Sequence, residues 1–446
     1  MQNKRSVCGV YQLMSAIIVV SSLFQEESYA LDLFEVYELA LLNDPQIHEA
    51  EETRKALFET KPQSLAKLLP SLAIVGSMNG SRYDTTNTYT QFQIGNQYFW
   101  DSSVFLKLSQ PIYHHDYWVQ LSQSDNQIAQ AEAEYSAEQQ NLMIRTAKAY
   151  FGVLVAQDNL EVAQSEKLTI EHQLNEMKKR LAIGSAAVTD LQEAQAGFDQ
   201  ARATEFEAKR KLKAEKAELT EIVGNIDAQL SSLNDALPLL MPVPNDMQQW
   251  LGLARQNNLS ILAAANRTEV ARKNIEIQFS AHLPTVDLIL NIGTTDTDRP
   301  AGLIADSQAI GVQMNMPIDL GGGVYSKVRQ AEHQFEAAKQ NLFKQRRAAE
   351  RQVEDAFQGI ELTIDQINSL NLAQKSIKVT VEGTEKGVRV GTRTMADLLT
   401  VNRNLSKAQR DYSQARYDYL LNTLLLKQAV GSLSNNDLKE VNSWLK

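Results

Sequence analysis

Ile183-Gly-Ser-Ala-Ala-Val-Thr-Asp-Leu-Gln192 and Val390-Gly-Thr-Arg-Thr-Met-Ala-Asp-Leu-Leu399 are two versions of one motif, 207 residues apart. In each, a glycine follows a long helical run, a few small or polar residues come next, and Asp-Leu opens a second apolar-periodic run. That order predicts a helix stopped by a left-handed glycine, a tight turn and a second helix. Gly184 and Gly391 are the expected left-handed residues.

Other landmarks recur with the motif. Gln110-Pro111-Ile112 returns as Met316-Pro317-Ile318, and Ala149-Tyr150-Phe151 matches Asp355-Ala356-Phe357, both at 206 residues. Val223-Gly224 matches Val430-Gly431 at 207. Leu69-Pro70-Ser71 returns as Leu283-Pro284-Thr285 at 214, so the first copy carries eight extra residues between Pro70 and Pro111. A period this long is no solenoid repeat; it is a two-fold tandem. Each half reads helix, strand, loop, strand, long helix, tight turn, long helix.

The helices are long. Prolines are absent between Pro111 and Pro238 and after Pro317, and the helical pattern from about Tyr117 to Leu181 contains one interior glycine, Gly152. At 1.5 Å per residue that segment would span roughly 100 Å. The helix after the second turn steps by three and four through Leu398, Val401, Leu405, Ala408, Tyr412, Ala415, Tyr419, Asn422, Leu426 and Ala429. Its counterpart steps through Leu191, Ala194, Phe198, Ala201, Glu205, Ala208, Leu212, Glu215, Leu219 and Ile222. Such sustained stepping predicts coiled-coil packing, and Glu205, Glu215 and Asn422 make the seam partly polar.

The strands are expected at about Ser71–Asn79, Ser103–Tyr113, Thr285–Gly293 and Ala309–Ile318. Val286, Leu288, Leu290 and Ile292 alternate with Asp287, Ile289 and Asn291, and Ile310, Val312, Met314 and Met316 alternate with Gly311, Gln313 and Asn315. One apolar and one polar face fits either a half-buried sheet or a barrel between lipid and water. Phe99, Trp100, Tyr113, Tyr117 and Trp118 flank the strands as interfacial aromatics would. Four strands do not close a barrel, which takes about eight. A chain of this kind must oligomerise or leave two sheet edges open.

The chain has 446 residues, 44 Lys+Arg against 54 Asp+Glu, and a net charge of −10. That balance excludes a general nucleic-acid binder with a basic face. A hydrophobic fraction of 43% and a mean hydropathy of −0.32 exclude a polytopic helical membrane protein, although a β-barrel barely moves such averages. Lys4 and Arg5, the apolar run Val7 to Phe24 and Ser28-Tyr29-Ala30 form an export signal with a small-x-small cleavage site. The sole cysteine, Cys8, lies inside it.

Over about 400 residues the mature chain resembles the TolC family of outer-membrane channel-tunnels. The two turn motifs carry the resemblance, with Ala149-Tyr-Phe-Gly-Val-Leu154, His282-Leu-Pro-Thr285, Pro317-Ile-Asp-Leu-Gly-Gly322 and Ala415-Arg-Tyr-Asp-Tyr-Leu420. The resemblance implies a mostly α protein with a β-barrel part. Each tandem-duplicated protomer would give four strands to a trimeric 12-stranded outer-membrane barrel that continues into a periplasmic α-helical coiled-coil barrel. The implied divisions are a signal peptide at 1–30, repeats at 31–230 and 246–431, an equatorial linker at 231–245 and a C-terminal equatorial segment at 432–446. The function implied is an exit duct for tripartite efflux pumps and type I secretion. Its partners would be two further copies of the chain, a periplasmic adaptor, an inner-membrane RND or ABC transporter and outer-membrane lipid.

Carried over by position, the resemblance puts a periplasmic gate at Thr189, Asp190, Arg393 and Asp397. Arg393 would bond Thr189 and Asp190 where the inner coiled coil of each protomer is tied to its neighbours, and Asp397 would form a luminal acidic ring. Ile183, Gly184, Val390, Gly391, Thr392 and Arg393 would form the turns on which adaptor hairpins dock. Val388 stands where the family often has a tyrosine, and Thr400 where it has a second aspartate. One gate bond is then missing, and three luminal carboxylates would replace six. Two plainer readings stay open: Thr394-Met-Ala-Asp397 is also a capping box, and Arg393 is also a plausible solvated turn residue.

Nothing in the sequence spells catalysis. The six histidines lack metal-ligand spacing, and neither a phosphate loop nor a nucleophile elbow occurs. Neither an enzyme nor a cofactor is expected. A non-channel coiled-coil protein that bridges the periplasm is the alternative to the duct.

Overall fold

The computed structural model describes residues 30–85, 95–225, 228–234, 237–298 and 302–446. The expected export signal lies outside them, apart from Ala30. The first half comprises α1 (Leu33–Asn43), α2 (Pro45–Phe58), α3 (Thr60–Ala66), β1 (Ser71–Thr85), β2 (Gly95–Tyr113), α4 (His115–Ala182) and α5 (Val188–Val223). The second comprises α6 (Met247–Asn257), α7 (Leu259–Phe279), β3 (Thr285–Thr297), β4 (Leu303–Asn315), α8 (Gly323–Arg389), α9 (Met395–Val430) and α10 (Asn435–Asn442).

The single helix expected before each strand pair is broken in both halves. Asp44 ends α1 and caps α2, its Oδ1 accepting from Gln46 N at 2.6 Å, with Pro45 in the first helical turn. Asn258 separates α6 from α7 in the same way, accepting from Ile261 N at 3.1 Å. Short side-chain acceptors just ahead of a helix satisfy amides that have no intrahelical partner.

The long helices match in pairs. α4 has 68 residues and α8 has 67, while α5 and α9 have 36 each. None of the seam positions read from the stepping is exposed. The two interior glycines opposite the seam explain how polar residues fit there. A Cβ on Gly152 would lie 2.6 Å from Glu215 Oε2, and one on Gly359 would lie 2.9 Å from Asn422 Nδ2. Gly152 with Glu215 and Gly359 with Asn422 are the same notch, 207 residues apart.

The main core sits at mid-height, where α1 packs on α4 and α5, and α4 meets the C-terminal half of α9. Tyr150, Leu142, Leu154, Ile360, Leu420, Leu424 and Leu438 are buried there, each Leu or Ile contributing about 1.5–3 kcal/mol. The linker and C terminus wrap this level. Tyr150 OH donates to Ser231 O at 2.8 Å, Leu240 N donates to Tyr419 OH at 2.9 Å, and Lys446 N donates to Ser232 O at 2.8 Å. Arg416 also donates to Asn234 O. A partly buried crossing ties the halves lower down, where Ser413 and Tyr417 donate to Asp158 Oδ2 on α4.

The strands form one antiparallel sheet in the order β1-β2-β3-β4. They run further than the alternation of apolar residues indicated, because pairing continues into polar segments such as Gly80–Thr85 with Gly95–Trp100. Phe99 and Trp100 therefore lie within β2 rather than beside it. β4, in contrast, stops at Asn315, before Pro317, which lacks the N–H a ladder needs. Within β2 the register shifts between Pro111 and Tyr113, a bulge that brings Tyr113 opposite Val286.

Register sorts most of the side chains, with Val75, Phe105 and Ile289 as apolar members of the more polar face. Ile74, Leu106, Ile292 and Gln308 align across the sheet, as do Leu72, Leu108, Leu290 and Ile310, with Leu288, Val312, Val286 and Met314 beside them. The opposite face carries Lys107 with Asn291, Ser103 with Thr295 and Asp287 with Gln313. The apolar face is uncovered: Ile74 is 77% exposed and Ile310 72%. A half-buried sheet packed on the chain's own helices is thereby excluded.

Candidate functional site: the paired hairpin tips

Both hairpin turns fold by the same rule. Gly184 has φ +73° and Gly391 φ +79°, values that a side chain would oppose. Ser185 N donates to Arg180 O at 2.9 Å, and Thr392 N donates to Gly387 O at 2.9 Å. These five-residue-back bonds close a Schellman motif on the last turns of α4 and α8. Ile183 and Val390, beside the two glycines, are 79% and 74% exposed. Gly184, Gly391, Thr392 and Arg393 are exposed as well. The tips thus present apolar side chains at the end of a largely polar helical surface.

The helices that leave the turns begin differently. At α9, Asp397 N donates to Thr394 Oγ1 at 3.1 Å, and Thr394 N donates to Asp397 Oδ2 at 3.1 Å. These bonds, with Arg393 nearby, hold the Asp397 carboxyl below its ordinary value. The capping box read from the sequence is therefore formed. At α5, Ala187 stands at the N-cap and has no side-chain oxygen, so only the return bond from Ala187 N to Asp190 Oδ2 remains, at 3.4 Å.

Arg393 and Asp190 line one groove between the turns, together with Met177, Arg180, Val388 and Met395. Among the described residues of one chain, Arg393 makes no hydrogen bond to Thr189 or Asp190. Thr189 is exposed. Arg393 instead lies over Gly387, where an added Cβ would come within 2.8 Å of its Cγ. Below the groove, Ile170, Leu174, Met177, Ala194, Ala201, Val388, Met395, Leu398 and Leu399 form a separate apolar cluster. Gly197 lets the hairpins close on each other, since a Cβ there would sit 2.9 Å from Leu399 Cδ2.

Two contributors have no clear mark in the sequence. Arg180 donates through Nη1 to Val388 O at 3.3 Å, linking one turn to the other. Glu205 is buried in the α4–α5 seam, with Lys167 Nζ 3.1 Å and Lys209 Nζ 2.6 Å from its two oxygens. Only the polar letter at a seam position signalled Glu205. A lone Gly387 in a helical run gave no hint that it seats Arg393.

The groove offers two guanidinium groups, the Asp190 carboxylate and apolar walls. His114 and His115 are engaged elsewhere, at 3.1 Å from Asp287 Oδ1 and from Glu276 Oε1. Among the described residues, His, Cys, Asp and Glu form no cluster able to hold a metal ion, and no helix is long and apolar enough to cross a membrane.

Comparison with known proteins agrees with this geometry. The chain is 35% identical to the outer membrane protein TolC of Vibrio cholerae, over 94% of either chain. It is 28% identical to the alkaline protease secretion protein AprF of Pseudomonas aeruginosa, over 94% of this chain and 88% of that one. Among solved structures, the CmeC outer membrane channel of Campylobacter jejuni superposes with a TM-score of 0.80 at 18% identity, covering 95% of this chain and 94% of that one. The family described as outer membrane efflux protein matches residues 36–225 and 250–432, one segment in each half of the tandem, and the chain belongs to that family.

Proposed function

We propose that three copies of this chain assemble into one duct, each contributing four strands to a 12-stranded barrel in the outer membrane. As a member of its family the protein is an outer-membrane exit duct for efflux and type I secretion, extending into the periplasm. The observation that carries the assembly is the uncovered apolar face, continuous across four strands whose two edges are open. Trp100 and Tyr113 lie on that face at either end of the band. Thirteen residues of strand, tilted as barrel strands are, span about 30 Å along a membrane normal, close to a hydrocarbon core.

The α-helices then form a coiled-coil barrel below the membrane. The halves divide at 31–230 and 246–431, with 231–245 and 432–446 forming an equatorial belt. Arg393 of one copy bonds Thr189 and Asp190 of its neighbour and holds the periplasmic end closed, and Asp397 faces the lumen with the carboxylate oxygen its cap leaves unused. The exposed turns at Ile183, Gly184 and Val390 to Arg393 receive a periplasmic adaptor, through which an inner-membrane RND or ABC transporter supplies the energy.

Planar-bilayer conductance of the purified oligomer tests this, wild type beside Arg393→Ser and Asp397→Asn. A charge-assisted bond of roughly 1.5–3 kcal/mol corresponds to about a ten- to hundredfold shift in the closed-to-open ratio. Arg393→Ser is expected to give larger, longer-lived steps, and Asp397→Asn a smaller cation preference. Unchanged conductance in Arg393→Ser removes the gate assignment. A folded oligomer without steps favours the bridging protein instead.

A further inference from the structure

The more polar face of the sheet carries few charges, and Lys107 is the unpaired one. The row through it reads Ala73, Lys107, Asn291 and Ala309 across the four strands. The next row toward the hairpin loops reads Val75, Phe105, Gly293 and Ser307. The next toward the helices reads Ser71, Ser109, Ile289 and Gly311. Among the described strand residues, Asp101 and Asp287 are the other charged members of this face, and both have partners. Asp101 accepts from Thr297 Oγ1, and Asp287 Oδ1 lies 3.1 Å from His114 Nε2. Asp287, the nearer of the two, stands four positions along β3 from Asn291, about 13 Å away. Lys107 is exposed and makes no hydrogen bond or ion pair among the described residues.

The duplication sharpens this. The 206-residue offset takes Lys107 to Gln313, which faces Asp287 across the second hairpin. The second copy keeps hydrogen-bonding groups at this position but has no cation there. One chain therefore supplies one ammonium group at this level.

We propose that Lys107 lines the lumen of the barrel as a ring of three ammonium groups that attracts small polyvalent anions to the outer part of the duct. The inference rests on the assembly proposed above, in which the face opposite the lipid-facing one turns inward. Twelve strands about 4.8 Å apart, tilted by about 40°, make a wall of radius about 12 Å. A lysine side chain reaches about 6 Å inward, past its shorter neighbours Ala73, Asn291 and Ala309. The ammonium groups then stand about 6 Å from the axis. The screening length is about 10 Å in 0.1 M salt and about 3 Å in 1 M. Their field thus covers the whole cross-section in dilute salt and only the wall in concentrated salt. Asp397, at the far end of α4, is roughly 100 Å away, so the two ends of the duct act independently and with opposite sign.

Planar-bilayer recordings of the full-length oligomer test the ring, with inorganic tripolyphosphate added on the barrel side as the probe. Lys107→Gln is expected to weaken block roughly tenfold or more in 0.1 M KCl, and Lys107→Glu to weaken it further. Lys107→Arg keeps the charge and should keep the block. All these differences should vanish in 1 M KCl. Equal block of wild type and Lys107→Glu in 0.1 M KCl, at equal single-channel conductance, overturns the ring and leaves the duct standing. A difference between them that persists undiminished in 1 M KCl also overturns it, because contact at the wall rather than the field across the lumen would then act. A folded oligomer that gives no conductance steps would instead overturn the duct, and the ring with it.

Discussion

The hairpin α4–α5 and the hairpin α8–α9 have arms matched to within one residue, similar turns and the same glycine notch, yet they differ where polar chemistry meets packing. The first has Ala187 at its cap, Glu205 in its seam and Glu215 in its notch; the second has Thr394, Tyr412 and Asn422. Duplication preserved the backbone solution because the turn geometry and the helix spacing leave little room for variation. Side chains that touch the groove or fill a seam were free to diverge. The contrast teaches that position in the repeat predicts shape, and that chemistry has to be read copy by copy.

The notches should show the largest divergence. At Gly359 the whole amide of Asn422 lies 2.9–3.1 Å from where a Cβ would go, and a short side chain cannot swing away. Gly359→Ala is expected to cost about 1–2 kcal/mol net, overpacking outweighing the better helix propensity. At Gly152 the nearest atom is the far end of Glu215, beside a groove lined by Lys148 and Lys211. Gly152→Ala should be neutral or stabilising by up to about 1 kcal/mol. Thermal unfolding of both variants in detergent measures the difference. Equal effects would show that the notches are not distinguished by their polar partners.

The caps give a smaller effect of opposite sign in the two copies. Thr394→Ala removes the hydroxyl from the N-cap of α9 and should weaken the first turn by about 1 kcal/mol. Ala187→Ser supplies the missing acceptor at the N-cap of α5, whose backbone already has the extended conformation a cap needs, and should strengthen that turn by a similar amount. Amide exchange in the first turns of α5 and α9 reads both. The pH response follows from the depressed Asp397 carboxyl: its contribution is complete above the ordinary value of 3.8 and is lost as the pH falls below it. Thr394→Ala should flatten that dependence.

Much of this architecture was legible in the sequence because it is periodic. The offset landmarks gave the tandem, the three-four stepping gave the buried side of α5 and α9, and glycine placement gave both turns. Strand ends were misjudged where the cue was alternation alone: Gly80 to Thr85 pairs through its backbone, which sequence pattern does not record. The helix breaks at Asp44 and Asn258 were missed although Asp-Pro and Asn at a cap were visible, since the apolar pattern runs on across them. At the tips the turn residues were readable as motifs. The contact of Arg180 with Val388 O and the seat of Arg393 on Gly387 were not, because each joins residues brought together only by the packed hairpins.

The seam carboxylate provides the finest test of the comparison. Glu205 is buried, and both its oxygens are held by lysines, which together keep its carboxyl below the ordinary value of 4.5. A depressed acid stabilises the fold fully above its unfolded value, and the contribution disappears as pH falls through the folded one. The α4–α5 seam should therefore loosen below pH 4.5, seen as faster amide exchange along residues 195–212. The corresponding seam position of α9 holds Tyr412 in place of a carboxylate, so residues 402–419 should not respond in step. Because Lys209 is half exposed, solvent screening keeps the magnitude under about 1 kcal/mol. Glu205→Gln retains the shape and removes the charge, so it should abolish the acid response of the first seam while leaving the second untouched. Parallel loosening of both seams would assign the acid response to the shared core, where position in the repeat alone would then account for it.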